Sequence, residues 1–379
     1  MSSIGSKSYL RIAWLTANAA STVATRLVTY PFRSVRAPTV YKDAINAAVR
    51  CMLDYLTIAD SRYLNPQTSD RYVRLYCRSR GLEPKSLEIH SEDGRAVAHW
   101  IGDPDAESVI LYCHGGAYTQ PANAGNFRYL ASFVKTLNNR PKSRRVSVLL
   151  LAYTLAPEGV YPTQLREAAV VLTHLIRETG RSPSNIFIAG DSAGGNLALS
   201  LLSHLLHPHP DVFAIKLGCP LGGVLLISPW VGFRTDYTSF TANATLDMLT
   251  PLALRKWGAM FLGKANDSNP EADPGPISGD SWTEACLNPP SWWNGMHQVV
   301  SDTFIWWGGY EVFGDPIREL EKNLNEGWAT GGGDLNRVRF FESAREAHVA
   351  PIVDTMIPGA EKSDAQVVIE EWFKGRLQR

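Results

Sequence analysis

Alternating β-rich and helical stretches begin near residue 87 and continue almost to the end of the chain. Helical patterns at 163–178, 193–207 and 316–325 separate the later β-rich runs. This order predicts one α/β domain with a mostly parallel sheet that helices cover on both faces. Eight short runs have the residue preferences of strands: LEIH, AVAHWI, SVILYC, VSVLLLAY, NIFIAG, GVLLIS, TFIWWG and VRFFE.

Two segments do not follow this alternation and are too long to be simple loops. Residues 1–85 have helical patterns, and residues 230–298 are rich in Trp, Pro and Asn. Ligands of open α/β sheets bind at the carboxyl edge of the strands, so we expect both segments to form a cap over that edge. The core would then consist of residues 86–229 and 299–379. The alternative for the first segment is a separate helical domain.

Composition narrows the class of partner. The 379 residues include 37 Lys and Arg and 37 Asp and Glu, so the formal net charge is zero. A neutral chain has no overall field that would attract nucleic acid or acidic lipid, and we expect a small, largely uncharged partner. Hydrophobic residues make up 45% of the chain and Trp occurs 11 times, which is typical of a globular protein with an aromatic-rich pocket or cap.

The cysteines indicate the redox environment. They are scattered, odd in number and without a CxxC pair, which argues against a disulfide scaffold and against a structural zinc site. A reducing compartment fits this pattern best, and we expect the protein in the cytoplasm. The five positions are Cys51, Cys77, Cys113, Cys219 and Cys286.

The N-terminal stretch IAWLTANAA, after Lys7 and Arg11, resembles a short signal peptide. Its apolar run is too short, however, and Thr16 and Asn18 dilute it. No stretch approaches the ~20 apolar residues that a membrane-spanning helix needs. We therefore expect an amphipathic helix packed on the fold and no stable membrane span.

The strongest chemical motif lies where the run IFIAG meets the next helical pattern. Gly190-Asp191-Ser192-Ala193-Gly194 fits G-x-S-x-G between a strand and a helix. The two glycines permit a sharp turn that puts the serine at a helix N-terminus. There the amide of Ala193 and the helix dipole favour a negative oxygen, so Ser192 is the candidate nucleophile.

A glycine pair follows directly after the run SVILYC, in His114-Gly115-Gly116-Ala117-Tyr118. Such a pair lets backbone amides turn inward toward a common point, as an oxyanion hole requires. An ordinary Gly-Gly turn would explain the pair if it stood alone. The serine motif elsewhere in the chain favours the oxyanion hole.

With these motifs the chain resembles the hormone-sensitive-lipase branch of the α/β-hydrolase superfamily, which includes arylacetamide deacetylase-like, bacterial and fungal esterases. HGGAY is similar to the family's H-G-G-G-[FW], and GDSAGGN matches its serine motif. AYTLAPEGVYPTQLREA resembles its Tyr-Arg-Leu-Ala-Pro-Glu stretch. The resemblance covers residues 87–375 and implies an α/β-hydrolase fold: a mostly parallel eight-stranded sheet, helices on both faces and a helical cap.

The resemblance also assigns the oxyanion hole. The amides of Gly116, Ala117 and Ala193 would hold the oxyanion, and Gly115 would supply the turn. Ala117 departs from the family, which has a third glycine there. Its amide is available if φ is negative at this position and is in doubt otherwise. No cofactor and no metal are implied.

The general base should follow the last strand, because the order in this fold is serine, acid, histidine. His348, in VRFFESAREAHVAPIVD, is therefore the candidate base. His204, His207 and His209 lie at a helix end beside prolines, and a metal site at HLLHPH is poorly supported. His114 already belongs to the glycine turn.

Two acids lie four residues apart in WWGGYEVFGDPI, just after the run TFIWWG. Glu311 lies in the loop directly after that predicted strand. Asp315 precedes Pro316, and since Asp is a favoured N-cap and Pro a favoured first helical residue, capping explains it. GGYEVFGD, set against the family's Gly-x-Tyr-Asp-Pro-Leu-x-Asp, also puts Glu311 at the acid position. We predict Glu311 as the acid, with Asp315 as the alternative, because Asp315-Pro316-Ile317 resembles the family's Asp-Pro-Leu.

These residues predict a serine carboxylic-ester hydrolase that acts on a neutral, hydrophobic ester through an acyl-Ser192 intermediate. The resemblance to fungal members of the family suggests a role in secondary metabolism. Aromatic residues of the second cap segment would line the pocket or simply pack the cap: Trp230, Phe233, Trp257, Phe261, Trp282, Trp292 and Trp293.

Two other functions stay open at this point. The same fold could catalyse a non-hydrolytic step, such as acyl transfer or cyclisation, from which the cap excludes water. A ligand-binding pseudoenzyme is the other alternative, although such proteins generally lack a member of the triad. The sequence leaves the oligomeric state open.

Overall fold

An eight-stranded, mostly parallel sheet organises the protein, as the sequence predicts. The computed structural model describes residues 6–139, 144–356 and 361–378. The strand order is β1-β2-β4-β3-β5-β6-β7-β8; β2 runs antiparallel to β1 and β4, and the other pairs are parallel. The strands are β1 Ser86–Ser91, β2 Gly94–Ile101, β3 Ser108–Cys113, β4 Val146–Leu151, β5 Ile186–Asp191, β6 Gly223–Ile227, β7 Thr303–Gly308 and β8 Val338–Ser343.

Helices separate the strands and precede the sheet. The α-helices are α1 Ser6–Thr29, α2 Val40–Leu53, α3 Ile58–Leu64, α4 Thr68–Arg71, α5 Ala124–Asn138, α6 Thr163–Arg177, α7 Ala193–Leu206, α8 Thr238–Ala242, α9 Pro251–Phe261, α10 Gly314–Thr330, α11 Ala350–Val353 and α12 Asp364–Leu377. A π-helical turn spans Tyr72–Cys77, and short 3₁₀ turns link several elements. No helix in the described part of the chain is long and apolar enough to cross a bilayer.

Both faces of the sheet are buried, which explains the continuous apolar runs of the central strands. Every residue of β3, β4, β5 and β7 is buried. Side chains alternate between the faces: Leu111 of β3 packs in one core with α6, α7 and α10, and its neighbour Tyr112 packs in the other core with α5 and α12. The edge strand β1 is largely exposed.

The N-terminal helices lie against loops at the carboxyl edge of the sheet. Lys42 of α2 binds the carboxylates of Glu346 and Asp354, in the segment after β8. Arg62 of α3 donates to the backbone of Ala156, in the loop after β4. Residues 6–64 therefore contact the side of the sheet on which ligands of open α/β sheets bind.

The helix after β7 is longer than its sequence pattern predicts. The pattern ends at residue 325, two residues before Gly327, whereas α10 continues to Thr330. A Cβ on Gly327 would lie 2.1 Å from the carbonyl oxygen of Pro290, so this glycine lets the segment before β7 pack directly on the helix. The intrinsic cost of glycine is thus offset by a tertiary contact.

We predict opposite effects for two helical glycine-to-alanine changes. Gly327→Ala should lower the free energy of unfolding by about 1–3 kcal/mol, because the added methyl group overpacks the contact with Pro290. Gly375→Ala in α12 is the matched control, since a Cβ there meets nothing within 4 Å. It should raise that free energy by about 0.5–1 kcal/mol through helix propensity. Urea unfolding of both variants would test this; equal effects would contradict it.

Candidate active site

The serine motif forms a strained turn between β5 and α7. Ser192 has φ 53° and ψ −120°, and its amide donates to the carbonyl of Ile227 at the end of β6. A Cβ on Gly194 would lie 2.0 Å from the carbonyl oxygen of Cys113, and one on Gly190 would lie 2.3 Å from that of Gly194. The glycines therefore let the helix start directly against β3, which holds the serine at the carboxyl edge of the sheet.

Three of the predicted site residues meet in a chain of hydrogen bonds. The Nε2 atom of His348 lies 2.9 Å from Oγ of Ser192, and its Nδ1 atom lies 3.0 Å from Oε2 of Glu311. Glu311 is 0% exposed and His348 is 3% exposed. The three residues follow β5, β7 and β8, so parallel strands bring together positions that are far apart in the sequence.

The alternative acid, Asp315, is bound elsewhere. Its Oδ2 accepts from the amide of Ser239 at 2.7 Å, and its Oδ1 pairs with Arg318. The prediction that Asp315 is the N-cap is wrong: α10 begins at Gly314 and its N-cap is Phe313. Asp315 instead lies in the first turn of the helix, where its carboxylate binds the amide of a residue distant in sequence.

The carboxylate of Glu311 has further partners that fix its orientation. Its Oε1 accepts from the amide of Gly308 at 2.6 Å and from the hydroxyl of Ser228. The same Ser228 hydroxyl accepts from the amide of Val349, the residue after the histidine, at 3.0 Å. Sequence reasoning missed Ser228, because a serine at the end of a strand has no distinctive pattern. Its positive φ of 49° becomes visible only in the structure.

A second buried carboxylate, Asp247, was also missed. Its oxygens accept from the amides of Val312 at 2.7 Å and of His348 at 3.3 Å. Burial raises the pKa of Asp247 to about 6, and the nearby charge of Glu311 adds to that rise. No sequence signal could have found this residue, since it lies in the irregular segment between β6 and β7.

Opposing effects set the pKa of the His348 imidazole. Burial by itself lowers the pKa of His348, but the hydrogen bond and negative charge of Glu311, together with nearby carboxylates, outweigh burial and raise that pKa above its usual value. Asp247 and Asp191 add smaller contributions in the same direction. The ring is thereby suited to take a proton from a neighbouring hydroxyl.

The glycine turn after β3 is held by the aspartate of the serine motif. The amide of Gly115 donates to Oδ1 of Asp191 at 3.0 Å, so this amide is already engaged. A Cβ on Gly116, whose φ is 119°, would lie 2.5 Å from the carbonyl oxygen of Gln120. Within the described residues, the amides of Gly116, Ala117 and Ala193 donate to no other protein group.

Ala117 does not meet the condition of a negative φ that the sequence analysis set. Its φ is 51°, in the left-handed region. That region is open to a residue with a Cβ at a cost of about 1–2 kcal/mol, so the methyl group strains the backbone without forbidding it. The amide of Ala117 has no partner in the described structure, and its role in the oxyanion hole stays a prediction.

The other histidines considered as candidates have structural partners. His114 is buried between Thr68 and the backbone of Gly115, and burial lowers the pKa of His114 to about 4. His204 and His207 bind the backbone carbonyls of Phe213 and Trp292. In the described ranges no three His, Cys, Asp or Glu side chains are grouped so that they could hold a metal.

A family model that matches this sequence shows which family the protein belongs to. The sequence matches a family with the α/β-hydrolase fold over residues 110–326, more than half of the chain. The protein is an α/β hydrolase. It belongs to the branch that resembles hormone-sensitive lipase, and the resemblance drawn from the sequence motifs is confirmed.

Relatives of this α/β hydrolase include acetyl-hydrolases. An acetyl-hydrolase of Streptomyces hygroscopicus is 28% identical over 184 residues, which are 48% of this chain and 56% of that protein. Steryl acetyl hydrolase 1 of Saccharomyces cerevisiae is 27% identical over 181 residues, which are 45% of this chain and 38% of that protein. The chain thus spans about half or less of the length of these curated relatives.

A solved structure shares this fold. An esterase from the bacterial hormone-sensitive lipase family superposes with a TM-score of 0.55 at 20% sequence identity. The superposition covers 99% of this chain and 99% of that one. At this level of identity the likeness establishes the α/β-hydrolase fold alone.

In this α/β hydrolase, Ala117→Gly should increase stability. Glycine removes the left-handed strain of about 1–2 kcal/mol but adds about 0.4–1 kcal/mol of unfolded-chain entropy. The free energy of unfolding should therefore rise by about 0.5–1 kcal/mol, as measured by urea titration. Gly218→Ala is a control for the change of residue type, because φ is not positive there and a Cβ meets nothing within 4 Å. A loss of stability in Ala117→Gly would contradict the argument.

Proposed function

We propose that the protein is a serine carboxylic-ester hydrolase. The observation that carries this proposal is the hydrogen-bond chain from Ser192 through His348 to Glu311, with distances of 2.9 and 3.0 Å. A serine, a histidine and an acid in this geometry form the arrangement that activates a hydroxyl for acyl transfer. Relatives named as acetyl-hydrolases support it.

The first half of the reaction forms an acyl-serine. His348 takes the proton of Ser192 as the Oγ atom attacks the ester carbonyl carbon, which gives a tetrahedral oxyanion. When this intermediate collapses, the bond to the alcohol oxygen breaks and the imidazolium returns its proton to the leaving alkoxide. Glu311 holds the ring in position and stabilises its positive charge.

The second half releases the acid. Water gives a proton to His348 and attacks the acyl carbon, and the proton passes to Oγ of Ser192 as the new intermediate collapses. The unengaged amides of Gly116, Ala117 and Ala193 would donate to the oxyanion in both halves. Since the amide of Gly115 is bound to Asp191, Gly115 contributes the turn and not a donor.

We further propose that the preferred substrate is a short-chain, acetyl-like ester of a hydrophobic alcohol. Aromatic side chains fill the interior next to the site: Phe313 meets the His348 ring edge to face at 5.2 Å, and Trp230 stacks on Phe313. Both aromatic residues are 1% exposed, so they pack the interior beside the histidine. We infer from this packing that the acyl site is short. The names of the relatives, which include acetyl and steryl acetyl hydrolases, agree with this.

The two segments outside the α/β alternation would then form the cap over the site. Most of the aromatic residues that were expected to line it are buried, including Trp257 and Trp293. Trp282 and Trp292 are half-buried, but their indole N–H groups donate to the carbonyl of His207 and to Oγ of Ser203. These contacts lie at the end of α7 farthest from Ser192, so the two indoles pack the fold and do not line the site. A role in secondary metabolism and a cytoplasmic location stay predictions.

Substitution of each triad residue tests the proposal with p-nitrophenyl acetate as the probe. Ser192→Ala should lower kcat by about 10⁶-fold, because the nucleophile is lost. Glu311→Gln should lower it by about 10⁴-fold, because the ring loses its orienting charge. Asp315→Asn is the matched control and should keep activity close to that of the wild type, since Asp315 binds Ser239 and Arg318.

The products must be measured together with the rates. Release of free acetate in step with p-nitrophenol supports hydrolysis. An inert wild-type protein, or a large loss in Asp315→Asn with little loss in Glu311→Gln, would contradict the proposed function or its acid.

The acyl preference can be tested with p-nitrophenyl esters of increasing chain length. kcat/KM for the octanoate should be at least about 10-fold lower than for the acetate, because each added methylene has to displace packed aromatic side chains. Equal or faster turnover of the octanoate would show that the acyl site is larger than proposed.

A further inference from the structure

One loop between β6 and β7 binds both catalytic loops at once. The carboxylate of Asp247 is completely buried, with 0% exposure. Its Oδ2 accepts from the amide of Val312, next to Glu311, at 2.7 Å. Its Oδ1 accepts from the amide of Met248 at 2.7 Å and from the amide of His348 at 3.3 Å. A single side chain thus joins the backbone of the acid loop to that of the histidine loop.

Asn243, at the other end of the same loop, also binds the backbone of the segment that carries Glu311. The Nδ2 atom of Asn243 donates to the carbonyl of Glu311 at 2.8 Å and to that of Gly309 at 3.4 Å. The amide of Asp247 donates to the carbonyl of Asn243 at 3.0 Å, which closes the loop on itself. Backbone groups on both sides of the Glu311 side chain are therefore held by residues 243–247.

We propose that Asp247 is a positioning residue of the active site: its carboxylate sets the separation of the loops that carry Glu311 and His348, and its negative charge stabilises protonated His348. This inference rests on the proposed ester-hydrolase function. Asp247 contacts the backbone of His348 and not its ring, so it acts through the loop and through its field in a buried, low-dielectric setting.

Several charged groups surround the histidine, and their signs agree with this role. Burial lowers the pKa of His348, while the charges of Glu311, Asp247 and Asp191 raise it. The cation Arg50 donates to the backbone carbonyl of Asp247. Loss of the Asp247 charge should therefore lower the pKa of His348.

The N-terminal helices hold this loop in turn. The Nδ2 atom of Asn46 in α2 donates to the carbonyl of Leu246 at 3.1 Å, and Nη2 of Arg26 in α1 donates to that of Thr245 at 2.6 Å. The N-terminal segment is thereby connected to the catalytic histidine through two successive layers of hydrogen bonds. The N-terminal segment therefore supports the loop that contains Asp247, in addition to its proposed part in the cap.

Asp247→Asn tests the proposal because asparagine keeps the shape of the side chain and removes its charge. We expect kcat to fall by about 10- to 100-fold with little change in KM, since a misplaced base slows the chemical step. The acid limb of the kcat/KM profile should move to lower pH by about one unit, because the imidazolium loses a nearby negative charge.

Asn46→Ala is the matched control, because it loosens the same loop without a change of charge. It should lower the thermal midpoint and leave the acid limb where the wild type has it. A purely structural role for Asp247 predicts that Asp247→Asn behaves in the same way. An unshifted acid limb in Asp247→Asn would therefore overturn the proposal.

Two further measurements cover the remaining outcomes. If Asp247→Asn does not fold, Asp247→Glu can replace it, because it keeps the negative charge on a longer side chain. The acid limb of the kcat/KM profile should then stay in place while kcat falls at least about 10-fold. An unchanged kcat would overturn the proposal.

¹⁵N-histidine NMR, with His348→Gln for assignment, follows the imidazole without any substrate. An inert wild type whose His348 pKa still falls in Asp247→Asn would contradict the ester-hydrolase function alone.

Discussion

The position of His348 is the constraint on which the site depends. Its two ring nitrogens must reach a serine after β5 and a glutamate after β7, while the histidine itself follows β8. Hydrogen bonds of 2.9 and 3.0 Å leave little tolerance, so the three strand ends have to be fixed relative to one another. A parallel sheet buried on both faces provides that rigidity, since its strand ends all reach the same edge.

Additional hydrogen bonds join the loops beyond the sheet. Ser228 links the carboxylate of Glu311 to the residue after the histidine, and Asp247 links the backbones of the same two loops. Asp191, next to Ser192, likewise links two loops, because its carboxylate accepts from the amide of Gly115 in the turn after β3. Each of these polar side chains is buried, and each has its hydrogen-bonding capacity used by a neighbouring loop, which is the condition under which buried polar groups stabilise a unique arrangement.

The fold and the main motifs could be predicted from the sequence because their signals are local. Runs of β-favouring residues predicted all eight strands, and the position of Glu311 directly after β7 is likewise a local signal. The N-cap assigned to Asp315 was wrong because a tertiary partner, Ser239, binds its carboxylate. Ser228 and Asp247 could not be found at all, since their roles depend on contacts between segments that are distant in the sequence. The φ of Ala117 was likewise undetermined before the backbone path was known.

Covalent labelling by diethyl p-nitrophenyl phosphate, followed by intact mass measurement and peptide mapping, would show whether Ser192 is an activated nucleophile. This reagent phosphorylates an activated serine irreversibly, so the result does not depend on which acyl group the enzyme prefers. We expect one diethylphosphoryl group per chain, on the peptide that contains Ser192, and none in Ser192→Ala. An unlabelled wild type, or a label on any other residue, would contradict it.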